Sequence, residues 1–83
     1  MIQAQTSIEI RRQIVHALRH GPLDMFQVAE EVGEPPYRVR GELKTLKRER
    51  LVTDAMLTDQ ILWRLTETGV AQAWERAQLR FDG

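Results

Sequence analysis

The chain has 83 residues, 12 Lys plus Arg against 12 Asp plus Glu, no cysteine and 42% hydrophobic residues, the profile of one small soluble globular domain over 1–83. That length is short for a catalytic domain, and the lack of thiols excludes a thiolate zinc site, a redox pair and a disulfide framework, so the core must come from well-patterned, mostly helical elements. A net charge of zero counts against a polybasic nucleic-acid binder, and with no export signal at the start and no apolar run near the roughly 20 residues of a membrane span, a cytoplasmic protein is expected.

The first helix, over 6–20, is announced by Thr6 with Glu9 at capping-box spacing. Ile10, Ile14 and Leu18 form its apolar stripe, with Val15 and Ala17 beside it, and His20-Gly21-Pro22 stops it. Asp24 with Gln27 repeats the capping-box spacing and opens a second helix over 24–33, whose Val28, Ala29 and Val32 are buried and whose end is Gly33. Pro36 suits the first position of a third helix over 36–50, with Val39, Leu43 and Leu46 on its buried side. After Arg50 the period changes to two. A hairpin is expected over 51–65, turning at Thr58-Asp59, with Ile61, Trp63 and Leu65 packed on the helices and Leu62 and Arg64 outward. Thr66 caps a last helix over 66–81, in which Val70, Ala73, Trp74, Ala77 and Phe81 fall within a sector of about 80°.

Three stretches in this order carry a family pattern. The run from Gly21 to Gly33 presents a capping residue followed by an "apolar-Ala-x-x-apolar-Gly" signature; Val39-x-x-x-Leu43-x-x-Leu46 leads into Arg50-Leu51-Val52; and Trp63-Arg64-Leu65-Thr66-Glu67-Thr68-Gly69 matches "aromatic-x-Leu-Thr-x-x-Gly". The chain resembles the winged helix-turn-helix of MarR-like, ArsR-like and PadR-like prokaryotic regulators, with two departures: those families usually have Gly where this chain has Arg50, and their DNA-touching wings usually present a basic residue where this chain has Thr58, Asp59 and Gln60. The resemblance implies a mainly α fold with a small β-hairpin (α+β), in the order helix, helix, recognition helix, hairpin wing, helix. It also implies that helix three enters the DNA major groove.

Opposite the buried side of helix three lie Tyr37, Gly41, Lys44 and Arg48, flanked by Arg38, Arg40, Thr45 and Lys47, and these are the candidate DNA-binding residues. From Tyr37 to Val52 there are six basic and two acidic residues, so the neutral sum divides into +4 here and −4 elsewhere. The wing turn has no Lys or Arg at its tip, which leaves Arg64 as the candidate phosphate contact on the hairpin. Val70, Trp74, Ala77 and Phe81 are the candidate dimer interface, with Ile2 and Ile8 able to complete it; intramolecular packing is the competing use of that stripe.

His16 and His20 lack a third ligand fixed by the sequence, and no catalytic constellation is present, so neither metal, cofactor nor enzymatic activity is expected. The expected function is a sequence-specific double-stranded DNA-binding transcriptional regulator, working as a homodimer and controlled by its abundance or a partner. The alternative is a protein-interaction module using an apolar wing surface around Met56 and Leu62, without DNA.

Overall fold

The computed structural model describes residues 5–72. Three helices, α1 (Ser7–Leu18), α2 (Met25–Val32) and α3 (Pro36–Arg48), pack on a three-stranded antiparallel sheet of β1 (Leu23–Asp24), β2 (Val52–Leu57) and β3 (Gln60–Leu65), and residues 67–72 open a further helix, α4. The sheet order is β1-β3-β2, so β3 is central.

Local sequence accounts for most boundaries. Thr6 Oγ1 accepts the Glu9 N–H at 3.2 Å, which is half of the expected capping box. Asp24 and Gln27 form both halves, at 2.8 and 3.0 Å, so two orphan donors of α2 are satisfied reciprocally. Gly33, at φ 78°, closes α2 in the left-handed conformation. The helices are shorter than the sequence pattern suggests: α1 ends at Leu18 and α3 at Arg48, because turn-type hydrogen bonds replace the helical ones from there on.

Strand β1 is a two-residue element that no periodicity could announce. Leu23 pairs with Trp63 and Asp24 with Leu62, so the residue that caps α2 also ties the α1–α2 connection to the central strand. The core joins Ile10, Ile14 and Leu18 of α1, Val28, Ala29 and Val32 of α2, and Val39, Leu43 and Leu46 of α3 with Leu51, Val52 and Trp63.

The hairpin departs from expectation in two ways. Ile61, expected against the helices, is 46% exposed, because β2 and β3 run past the helical body and only Val52 and Trp63 of the two strands are buried. Met56 and Leu62 do not share a surface. Met56 lies opposite Ile61, on the face that carries Trp63, whereas Leu62 lies opposite Ala55 on the other face.

The chain leaves α3 through a Schellman motif: Arg50 N–H reaches Lys47 O at 3.0 Å and Leu51 N–H reaches Leu46 O at 2.9 Å, with Leu46 and Leu51 both buried. The motif needs a left-handed residue at its turn, and Arg50 occupies it at φ 65°. This is the physical reason the resembled families use Gly there. Thr66 returns to the same place. Its N–H donates to Leu51 O at 3.0 Å and its Oγ1 to Arg50 O at 2.6 Å, while the Gly69 N–H donates to Thr66 Oγ1 at 3.0 Å. A Cβ on Gly69 would sit 2.1 Å from Leu51 O, so the first turn of α4 approaches that carbonyl as only glycine permits.

Two substitutions test this junction by thermal melting. Gly69→Ala is expected to destabilise by about 3 kcal/mol, since backbone rather than a flexible side chain must give way. Arg50→Gly is expected to stabilise by about 1 kcal/mol, raising Tm by about 5 °C, because it relieves the left-handed strain.

Candidate nucleic-acid interface

The outward side of α3 follows from its buried side. Val39, Leu43 and Leu46 are turned fully into the core, which leaves Tyr37, Arg40, Gly41, Lys44 and Arg48 exposed, Tyr37 at 78%. Arg40, Lys44 and Arg48 recur every four residues, so their guanidinium and ammonium groups form one row along the helix. None of the three has an ion-pair partner among the described residues. Gly41 lies beside this row, and a Cβ there would meet nothing within 4 Å. The described residues therefore give no packing reason for a residue that costs about 1 kcal/mol in a helix interior relative to Ala.

The other candidates on α3 are engaged within the chain. Arg38 is half-buried, 3.0 Å from Glu34 Oε1, and also donates to the Gln5 carbonyl. Thr45 Oγ1 donates to Gly41 O at 3.2 Å. Lys47 Nζ is 2.8 Å from Asp54 Oδ1 on β2. Arg64 stands exposed on the outer face of β3, opposite Thr53, apart from the α3 row in the chain and on a different element. Val70 is 43% exposed, whereas Ile2, Trp74, Ala77 and Phe81 lie outside the described residues.

Two groups that hold this face in place were not singled out by sequence reasoning. Glu42 is only 9% exposed and accepts from Arg11 Nε at 3.0 Å, with a second arm of Arg11 at 3.8 Å from Glu49. The carboxylate falls within the buried arc, one position from Leu43, which marks it as needing a partner. The partner is 31 residues away on another helix, beyond any local spacing rule. Gln5 is the other, its Nε2 bonding Val32 O at 3.2 Å and Glu34 Oε2 at 3.0 Å across the α2–α3 turn.

Elsewhere, the His16 and His20 rings meet edge to face with centroids 5.9 Å apart. No group of three or more potential metal ligands occurs among the described residues, and none of their helices is long and apolar enough to cross a membrane.

The arrangement of helices and hairpin is shared with known structures. Wild-type ZitR of Lactococcus lactis superposes with a TM-score of 0.73 at 27% identity, covering 94% of this chain and 52% of ZitR. The fold is a winged helix-turn-helix. ZitR is described as a zinc-responsive MarR family member. The homodimeric winged helix-turn-helix DNA-binding domain of Mb0332 from Mycobacterium bovis, described as a possible ArsR-family regulator, superposes with a TM-score of 0.74 at 23% identity, covering 88% of this chain and 68% of that one. In sequence, the HTH-type transcriptional regulator Rv2034 of Mycobacterium tuberculosis is 38% identical over 61 residues, which are 74% of this chain. The chain spans 57% of that regulator's length. No family model matches the chain.

In this winged helix, α2 and α3 form the helix-turn-helix and β2–β3 the wing, and Lys47 with Asp54 joins α3 to the wing. The Lys47 ammonium, by hydrogen bond and charge, holds the Asp54 carboxyl below its ordinary value despite the opposing effect of partial burial. A depressed carboxyl contributes stability that is present above its unfolded pKa, near 4, and is lost as pH falls through the lower folded value. The Tm of the unaltered chain is therefore expected to exceed that of Asp54→Asn near neutral pH, by the modest amount a part-exposed pair allows, and the gap to close below about pH 4.

Proposed function

We propose that the chain is the sequence-specific double-stranded DNA-binding module of a transcriptional regulator, that it inserts α3 into the major groove, and that it works as a homodimer. The observation that carries this reading is the row of Arg40, Lys44 and Arg48, exposed along one side of α3 without a carboxylate partner among the described residues, while Glu34 and Glu42 face other cations. Arg suits base or phosphate recognition because its planar fork bonds guanine or phosphate bidentately. Tyr37, at the exposed start of α3, suits a phosphate or a thymine methyl. Gly41 supports the same reading, since a helix without a side chain at that point comes closer to a groove.

The names of the similar proteins, an HTH-type transcriptional regulator and a homodimeric DNA-binding domain, are in keeping with it. Pairing two recognition helices on a two-fold site is how a small domain with few base contacts reaches useful specificity. Val70 and Ile8 are the exposed apolar residues in the described part of the proposed dimer surface, which Trp74, Ala77 and Phe81 would extend. The partner proposed is DNA, so the working compartment proposed is the prokaryotic cytoplasm. A second reading rests on the exposed pair Met56 and Ile61, directly opposite each other on the wing, which offers a protein partner an apolar contact.

Fluorescence anisotropy of duplex DNA at two salt concentrations tests the principal reading. Arg40→Ala and Lys44→Ala are expected each to weaken binding by about 1–3 kcal/mol where they contact bases, less where they contact phosphate, and His16→Ala to leave it unchanged. Gly41→Ala is expected to raise Tm and yet weaken binding. Absence of binding at low salt, or Gly41→Ala binding as well as the unaltered chain, counts against this use of the helix face.

A further inference from the structure

Lys47 is set to join the basic row and does not. On a helix of 3.6 residues per turn it lies three positions beyond Lys44 and seven beyond Arg40, along the same side of α3. At that place, near the helix end, a lysine ordinarily serves the backbone phosphates, which position a protein on DNA without conveying sequence. Here its ammonium rests 2.8 Å from Asp54 Oδ1. The geometry comes from the wing: Asp54 shares a strand face with Val52, whose side chain is buried in the core, so its carboxylate is turned toward the body and α3. Arg40, Lys44 and Arg48 have no such partner among the described residues.

Building on the DNA-binding reading, we propose that Asp54 sets the strength of DNA binding by holding Lys47 on the wing, so that one cation of α3 is withdrawn from the phosphate-binding complement. A phosphate at the groove edge meets Lys47 and Asp54 together, and a pair 2.8 Å apart is close to neutral to a charge several ångströms away. Counterion release then gains little from Lys47, because the salt-dependent part of affinity scales with the phosphates that free cations neutralise. Stability alone is a weak reason for the pair. Lys47 is 52% exposed and Asp54 28%, and ion pairs so open to water contribute about 0–1 kcal/mol. Lowering the sequence-independent part of binding leaves base contacts from Arg40 and Lys44 a larger share of the total. A chain whose formal charge sums to zero is consistent with such restraint.

The test is anisotropy with a mixed-sequence duplex over salt from about 50 to about 200 mM, for the unaltered chain, Asp54→Asn, Lys47→Gln and the double variant, each checked by thermal melting. Asp54→Asn is expected to bind about tenfold tighter at the lowest salt, with the slope of log K against log salt steeper by about 0.9. Lys47→Gln alone is expected to weaken binding, because it leaves Asp54 as an unpaired carboxylate beside the phosphates, while in the Asp54→Asn background it removes the gain and returns affinity and slope to about those of the unaltered chain. An unchanged slope in Asp54→Asn overturns the proposal. So does a gain that persists in the double variant, which assigns the effect to repulsion by Asp54 itself. A double variant that binds more weakly than the unaltered chain, with a flatter slope, also overturns it, since Lys47 then already serves the phosphates; Asp54→Ser takes the place of Asp54→Asn should the latter fail to fold. If neither the unaltered chain nor Asp54→Asn binds at the lowest salt, the DNA reading fails and the proposal falls with it, a result distinct from binding with an unchanged slope.

Discussion

The wing and α3 keep a fixed relation because the chain converges on one peptide group. Leu51 donates its N–H back to the last turn of α3, accepts the Thr66 N–H at its carbonyl, and has Gly69 pressed against that carbonyl from the first turn of α4. A buried peptide group must find partners for both its donor and its acceptor, and here the partners come from the end of one helix and the start of another. The "Leu-Thr-x-x-Gly" pattern is thus a packing statement: Thr66 supplies a hydroxyl that caps α4 and bonds Arg50 O, and Gly69 supplies the missing Cβ. Arg50 at φ 65° is carried by the same arrangement, since the Schellman bonds and the burial of Leu46 and Leu51 outweigh a strain of about 1 kcal/mol.

Around α3 the charges are sorted by side. Glu34 takes Arg38 near the helix start, Glu42 takes Arg11 of α1, and Asp54 takes Lys47 toward the wing. Among the described residues, the α3 cations left without an ion pair form a single row, and that row faces away from the body. The net charge of zero therefore conceals a division in which carboxylates anchor the flanks of the helix and leave cations on its front.

Elements and core were legible where local chemistry specifies them. The two capping sites, the stop at Gly33, the start at Pro36 and the stripe of Val39, Leu43 and Leu46 each involve residues within a turn of one another, and each forms in the structure. The hairpin turn at Thr58-Asp59 was legible for the same reason. Strand β1 was hidden because two residues have no period and their partner, Trp63, lies far along the chain. Exposure of Ile61 was hidden because alternation tells which face a residue shares but not where along the strand the body ends. On the candidate site, the pattern located the outward face but could not tell Arg40, which has no ion-pair partner among the described residues, from Arg38 and Lys47, which are held. Those ion pairs join elements that only the fold brings together.

Helix α3 is a poor helix by its own sequence. Its N-cap is Pro35, which makes no side-chain cap bond; Gly41 interrupts its middle; and a non-glycine residue must go left-handed after its end. Each choice costs a few tenths to about 1 kcal/mol relative to the best residue for that place, and an isolated helix of this length is marginal even with ideal residues. Its order must then come from outside, from Val39, Leu43 and Leu46 in the core and from the ion pairs to α1 and the wing. Local rules fail together mainly where a surface is shaped for something other than folding. A helix that depends on its neighbours for its shape also takes its direction from them, so Arg11 and Asp54, which are not part of the basic row, help decide where that row points.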